Sequence, residues 1–478
     1  MKRNIFICLI GAFTLLSCDD FLTLEPEYQI SDQSFYKDKN DFEALIMGCY
    51  SGLQSLHNGP FQFIAELTTD NAYITVQSPG IHELECDEMN LTSSNSYINS
   101  YWSTSYRTIA RCNNLINRAD ESKMTDQYKA QYKGEAYFIR AFCYFNLVRT
   151  FGEIPLVVVD FRNPEEAKAY DMTRRPVEEI DKQIEKDLST AVELLSGVSL
   201  NKGRGSVGAA KALLGRYYLT RKKYADVISV LKEVIESNQY TLVDDYEKLF
   251  TKDNDDLPES IFEIKFMSGN VGEGNSFAQN EVPTLYGGMS LFPGNQLGGG
   301  RLSPTTDIVN AYEEGDKRKD ASVSDSIPMD DGTVYKMWYG KKFVDFTASV
   351  ITDMDNNFTI LRYADVLLMY AEALNESGNS VDAHSYLNMV RKRAGLNEKT
   401  NLSKEEFILA MEKERRVEFL HEGHRWYDLV RTGRAKTVLN QYFTNEGKGF
   451  TVEDYELLMP VPQRERDIDP NLSQNPGY

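Results

Sequence analysis

Seventy-two acidic side chains against 52 basic ones give this 478-residue chain a formal net charge of −20, the wrong sign for holding nucleic acid. No stripe of clustered Lys and Arg runs along it, so a phosphate-binding face is excluded. The length allows a large core and two or three units, and beyond the amino terminus no apolar run reaches the roughly 20 residues that cross a bilayer.

Lys2 and Arg3 precede an apolar run, Ile5–Leu16, and Leu15-Leu16-Ser17-Cys18 then resembles a bacterial lipobox. That run is 12 residues long and meets Cys18, Asp19 and Asp20 at once, so it does not span a membrane comfortably. Residues 1–17 are expected to be a secretion signal, with Cys18 lipidated as the membrane anchor. Cys49, Cys86, Cys112 and Cys143 show no CxxC pairing or framework spacing. Cys112 and Cys143 fall in helical patterns and read as small buried apolar residues.

Helical spacing dominates the region 18–250. Ala136, Ile139, Cys143 and Leu147 share one face, and the pattern stops at Phe151-Gly152-Glu153-Ile154-Pro155. Behind Pro176 the spacing resumes with Val177, Ile180, Ile184, Leu188, Val192 and Leu195. Trp102 and Tyr106 begin a run with Ile109 and Leu115 and read as helix packing. Leu214-Gly215-Arg216-Tyr217-Tyr218, followed by Tyr224, Leu231 and Val234, has the spacing of a tetratricopeptide helix pair. Ala371, Ala383, Leu387 and Val390 mark a comparable pair, though the units are not tandem at 34 residues.

In the carboxyl-terminal region, 251–478, composition shifts first. Between Thr251 and Asn357, Gly, Asn, Asp and Ser accumulate around short strand-like runs such as Ile261–Phe266. The Gly-rich stretch from Gly287 to Gly300 reads as a loop too flexible to be a core element, and loops of this length are functional or mobile. Both regions are expected to form one compact unit.

Chemical motifs are sparse. His421-Glu422-Gly423-His424 has the residue types of a zinc site but not the HExxH spacing or a third ligand, so no metal is expected. Asp353-Met354-Asp355-Asn356-Asn357 begins like a calcium loop, but Phe358 stands where Gly is needed and Ala364 where the bidentate Glu belongs. With 72 acidic residues, a carboxylate pair at glycosidase spacing carries no signal. No nucleophile elbow, P-loop or dinucleotide fingerprint is present, so neither catalytic residues nor a cofactor are expected.

Several blocks nevertheless stand together in a family order. Cys18-Asp19-Asp20-Phe21-Leu22-Thr23-Leu24-Glu25-Pro26 opens the mature chain; Gly134–Phe142 with Phe151–Leu156 follows, then Gly315-Asp316-Lys317-Arg318 and Leu361–Ala373. Glu414–Phe419, Glu422–Leu429 and Gln474-Asn475-Pro476-Gly477-Tyr478 complete the set. In these blocks the chain resembles the SusD/RagB family of outer-membrane nutrient-binding lipoproteins. The resemblance implies a mainly α fold, four tetratricopeptide-like helix pairs carrying an irregular, loop-rich lobe. It also implies a cell-surface protein that binds an oligosaccharide or other nutrient for a SusC-like TonB-dependent transporter. Asp19 and Asp20 after the cysteine accompany surface export in such lipoproteins.

Arg362, Asp365, Glu372, Glu414, Arg415, Arg416, Glu418 and Arg425 are expected to be architectural, pairing along helices as Glu412 and Arg416 would. Sugars need aromatic faces and hydrogen-bonding groups. The lobe offers Tyr335, Trp338 and Tyr339, with Trp338 the leading stacking platform and Tyr286 and Phe292 upstream as helpers, and the family pattern adds the loop Asp70–Asn99 with Tyr73, a further helper, His82 and Tyr97. Packing of the lobe is the alternative role for Trp338 and Tyr339. A tetratricopeptide interaction scaffold and a glycoside hydrolase are the competing functions.

Overall fold

A computed structural model describes residues 36–285 and 289–478. The helices that carry the fold are α1 (Lys39–His57), α2 (Ile81–Asp87), α3 (Ser96–Arg118), α4 (Asp126–Phe151), α5 (Val177–Leu194), α6 (Val207–Thr220), α7 (Tyr224–Glu236), α8 (Thr306–Ala311), α9 (Tyr363–Glu376), α10 (Ser380–Arg393), α11 (Lys404–Glu418) and α12 (Arg425–Arg431). Short strands join them: β1 (Ala72–Tyr73), β2 (Ser260–Ile264), β3 (Ser303–Pro304), β4 (Val323–Pro328), β5 (Val334–Gly340) and β6 (Phe358–Arg362).

Four helix pairs form the scaffold: α1 with α3, α4 with α5, α6 with α7, and α9 with α10, each pair resting on the next. Local chemistry starts and stops them. Asp38 accepts the Asn40 and Asp41 amides at the head of α1, and the Asp41 side chain returns a bond in a capping box. After Phe151 the chain leaves α4 through Gly152 at φ +74, a backbone angle that favours glycine. Gly215 explains the tetratricopeptide signature physically. A Cβ there would lie 2.3 Å from Leu231 Cδ2, so α6 and α7 touch where no side chain fits. Phe138, Phe142, Phe145 and Trp426 are buried in one apolar cluster that runs from Phe42 to Leu472. Each such ring contributes about 2–3 kcal/mol on burial.

The strand-like run expected at Ile261–Phe266 is β2, antiparallel to β6 with an irregular register beside Phe262. Because β6 leads straight into α9, this pair seats the lobe on the scaffold. The lobe has its own small core, which includes Met289, Phe292, Ile327, Tyr339 and Met354. Its hairpin pairs β4 with β5, Ile327 opposite Tyr335 and Ser324 opposite Tyr339. The stretch before β3 is not slack. Gly298, Gly299 and Gly300 are buried, and the amides of Gly300 and Arg301 donate to the carbonyls of Val282 and Asn280 at 2.9 and 3.0 Å. Glycine is used there for close backbone approach, not for flexibility.

The charged blocks are architectural, but their partners are distant. Arg362, on β6 and not on a helix, bonds Glu259, Glu418 and Glu422. Arg318 bonds Asp316, Glu414 and Glu418, and Arg425 holds Asp70. Glu412 and Arg416 do not pair with each other: Glu412 meets Arg434 at 2.9 Å, and Arg416 meets Asp307 at 2.7 Å. His421 Nδ1 lies 2.6 Å from Glu281 Oε2, Glu422 bonds Lys342 and Arg362, and the His424 ring stacks on Phe419. Among the described residues no His, Cys, Asp and Glu side chains group as metal ligands. Asp353 instead accepts the Gly269 and Asn270 amides. Cys49, Cys86, Cys112 and Cys143 are free and buried.

Candidate functional site

The loop between α1 and α3 meets the lobe along one seam. Ala72 and Tyr73 pair antiparallel with Pro304 and Ser303. The Thr75 amide donates to the Gly300 carbonyl at 2.8 Å, and the Thr75 and Ser303 hydroxyls lie 2.9 Å apart. Gly300 sits at φ +56, and a Cβ on it would come within 2.4 Å of Thr75 Oγ1. Only glycine closes this seam without displacing a strand.

Beside the seam, Arg301 Nε donates to Glu83 Oε1 at 2.8 Å, and the Tyr97 hydroxyl donates to the same oxygen at 3.1 Å. Burial pushes the Glu83 carboxyl up, but the Gly80 amide, Arg301 and Tyr97 outweigh it, and Glu83 titrates below the ordinary carboxylate range. Tyr97 lies over Phe63 with ring centroids 4.1 Å apart and keeps part of its surface open. Burial, and then the Glu83 charge, hold its hydroxyl protonated far above neutrality. Tyr73 is half-buried, its own pKa raised by burial and by the charges of Glu446 and Asp87. Burial lifts Asp87, at the end of α2, to about 6 despite Lys448 at 3.7 Å. Phenol faces beside hydroxyl, amide and guanidinium donors can stack on and bond a polyhydroxylated ring.

The expected site residues divide. Tyr73 and Tyr97 border the seam. His82 is near them, but its Nδ1 lies 2.7 Å from Ser96 Oγ and accepts the Ser96 amide, so the ring serves the start of α3. Phe292 and Tyr339 are corrected to packing residues. Phe292 is 3% exposed and stacks on Phe346, and Tyr339 is 4% exposed with its edge to the same ring. Neither has a face left for a ligand. Trp338 points the opposite way from Tyr339, because neighbours on a strand alternate. It is half-buried against Ile308, Val309 and Val323, with Lys319 Nζ 5.5 Å over its ring. Tyr335 is 45% exposed on the hairpin. Tyr286 and Cys18 lie outside the described residues. Since β3 also packs on β5, the hairpin borders the seam from the other side. Glu83 and Arg301 were not singled out from sequence. Arg301 follows Gly298-Gly299-Gly300 directly, a signal that was available.

Residues 20–219 match a family described as "Starch-binding associating with outer membrane", and residues 322–478 match the SusD family. The chain resembles the SusD family over both stretches. A SusD-like protein of Formosa agariphila, P38, is 29% identical with 99% of this chain and 98% of its own length aligned. Among solved SusD-family structures, a "Laminarin binding SusD-like protein" superposes with TM-score 0.79 at 28% identity, covering 93% of this chain and all of that one. "Surface glycan-binding protein A from Bacteroides fluxus" gives TM-score 0.79 at 26% identity, covering 92% of this chain and all of its own. The SusD family's helical scaffold and lobe are therefore those described above.

Proposed function

We propose that this chain is a cell-surface lipoprotein that captures an oligosaccharide at the seam between the Asp70–Asn99 loop and the lobe, and hands it to a SusC-like TonB-dependent transporter. Tyr73 and Tyr97 supply the aromatic faces, and Arg301 and the Thr75 hydroxyl supply hydrogen bonds. One observation carries the reading: a laminarin-binding SusD-like structure corresponds to this chain over 93% of its length. The lipobox at Cys18 and the outer-membrane association named for the family matching residues 20–219 support the location. The work asked of the site is binding without bond cleavage; its central carboxylate, Glu83, is committed to Arg301 and Tyr97.

Calorimetric titration of the mature protein with laminarin, starch, xylan and mannan oligosaccharides tests capture, with an assay for new reducing ends alongside. Binding that Tyr97→Ala weakens, with no new reducing ends, is the expected result; cleavage of the bound glycan, or binding indifferent to Tyr73, Tyr97 and Arg301, refutes it. Cys18→Ala should release the protein from membranes, and native-membrane pull-down of the wild type should recover an outer-membrane barrel. Recovery of the lipoprotein alone under gentle detergent counts against the transporter.

A further inference from the structure

We infer that this site selects uncharged glycans, and that Glu83 is the residue that sets the selection; the inference rests on the seam being the ligand site. Uronate and sulfate groups bind where a guanidinium or ammonium group is free to form charge-assisted bonds. At the seam the cation is Arg301, and its charge is already met by Glu83 at 2.8 Å. Three cations on bordering elements also face carboxylates. Arg416 meets Asp70 and Asp307 at 3.0 and 2.7 Å, Lys336 meets Asp325 at 3.0 Å, and Lys448 faces Asp87 at 3.7 Å. Lys319 lies over the Trp338 ring.

Open charge of both signs borders the seam: Asp307 stays open beside a largely buried Arg416, and Lys336, 64% exposed, is the more open partner of Asp325. The Asp307 and Asp325 side chains remain 45% and 41% exposed, and the whole chain carries −20, which repels a polyanion at a distance. Arg301 keeps 31% of its side chain open, so it can donate to a hydroxyl while its charge is balanced. A hydroxyl needs a donor and no net charge; a carboxylate needs both. Glu83 thus turns a guanidinium that would recruit acidic sugars into one suited to neutral ones.

The test measures affinity for neutral polymers (laminarin, xylan, galactomannan) and anionic ones (alginate, polygalacturonate, carrageenan) at low and moderate salt. Wild type should bind within the neutral set and ignore the anionic set. Glu83→Gln can keep its oxygen on the Gly80 amide and turn its NH2 to the Tyr97 hydroxyl, which then accepts, and it frees the Arg301 charge. It should gain at least about tenfold in affinity for uronate oligomers, a gain that salt suppresses and that the Glu83→Gln, Arg301→Gln double variant loses. Wild type that prefers an anionic glycan, or a folded Glu83→Gln that gains nothing, overturns the inference while leaving glycan capture intact. If Glu83→Gln does not fold, the wild-type comparison decides alone. Binding to neither set refutes glycan capture itself.

Discussion

Replacing Gly300 with Ala tests whether the seam is a built site. The residue sits at φ +56, where a side chain costs about 1–2 kcal/mol, and its new Cβ would stand 2.4 Å from Thr75 Oγ1. Thr75 must move, which puts at risk the Thr75 amide bond to Gly300 and the Thr75–Ser303 hydroxyl pair. With each bond worth about 1 kcal/mol net, the loss is about 2–4 kcal/mol in all. At about 2.1 cal/mol/K of unfolding entropy per residue, a chain of this size loses roughly 1 °C of Tm per kcal/mol, so Tm falls by only about 2–4 °C. The affinity loss should be larger in effect, at least about tenfold, because Tyr73 stands two residues before Thr75 and Arg301 directly follows Gly300. Gly378→Ala is the matched control: its φ is +86, but no atom lies within 4 Å of the added Cβ, and it is remote in the turn between α9 and α10. Melting scans and titrations on both variants separate the cases. Gly300→Ala with wild-type affinity, or Gly378→Ala with an equal loss, would refute the assignment of the seam.

Trp338→Ala should lower Tm by about 2 °C and leave glycan affinity within about twofold, since the ring packs on Ile308, Val309 and Val323; a large affinity loss at unchanged Tm would restore Trp338 as a platform. Asp87→Asn should raise Tm by about 2–4 °C at pH 8 and not at pH 4, by scanning calorimetry. The sign follows from a folded pKa of about 6, above the unfolded value: the ionised form penalises the fold at high pH, and the penalty disappears as pH falls toward 4. Glu418→Gln should destabilise by about 3–5 kcal/mol in chemical denaturation, because Arg318, Arg362 and Arg393 all share that buried carboxylate; a loss under about 1 kcal/mol would show the network to be redundant.

The scaffold was legible because its rules are local. Leu214-Gly215 with Leu231 announces a close crossing of two successive helices, and the Cβ clash at Gly215 is the reason the pattern exists. The lobe was legible only as a change in composition. The sequence kept Trp338 and Tyr339 together as candidate aromatics; the strand that carries them turns them to opposite faces, Phe346 and Met354 covering one while Ile308 and Val309 half-cover the other. An aromatic in a Gly- and Asp-rich segment finds apolar neighbours after all, because the lobe builds a second core of its own. For the same reason Phe292 reads as open in sequence and is closed in the fold.

The charges show why the seam itself was harder to find. A Glu412–Arg416 pair on one helix face would be worth about 0.3–0.5 kcal/mol in water. Each residue instead takes a partner that sequence does not place nearby, Arg434 for the one and Asp70 with Asp307 for the other. Glu83 and Arg301 are separated by 218 positions and Asp70 and Arg425 by 355. Bonds of this kind form only after the loop and the lobe have met, so they are products of the topology and leave no periodic trace. What a sequence can show is the opening that permits them. Gly298-Gly299-Gly300 is such a trace: three glycines mark where two backbones approach, and the first residue after them with a long polar side chain, Arg301, is the one that reaches across.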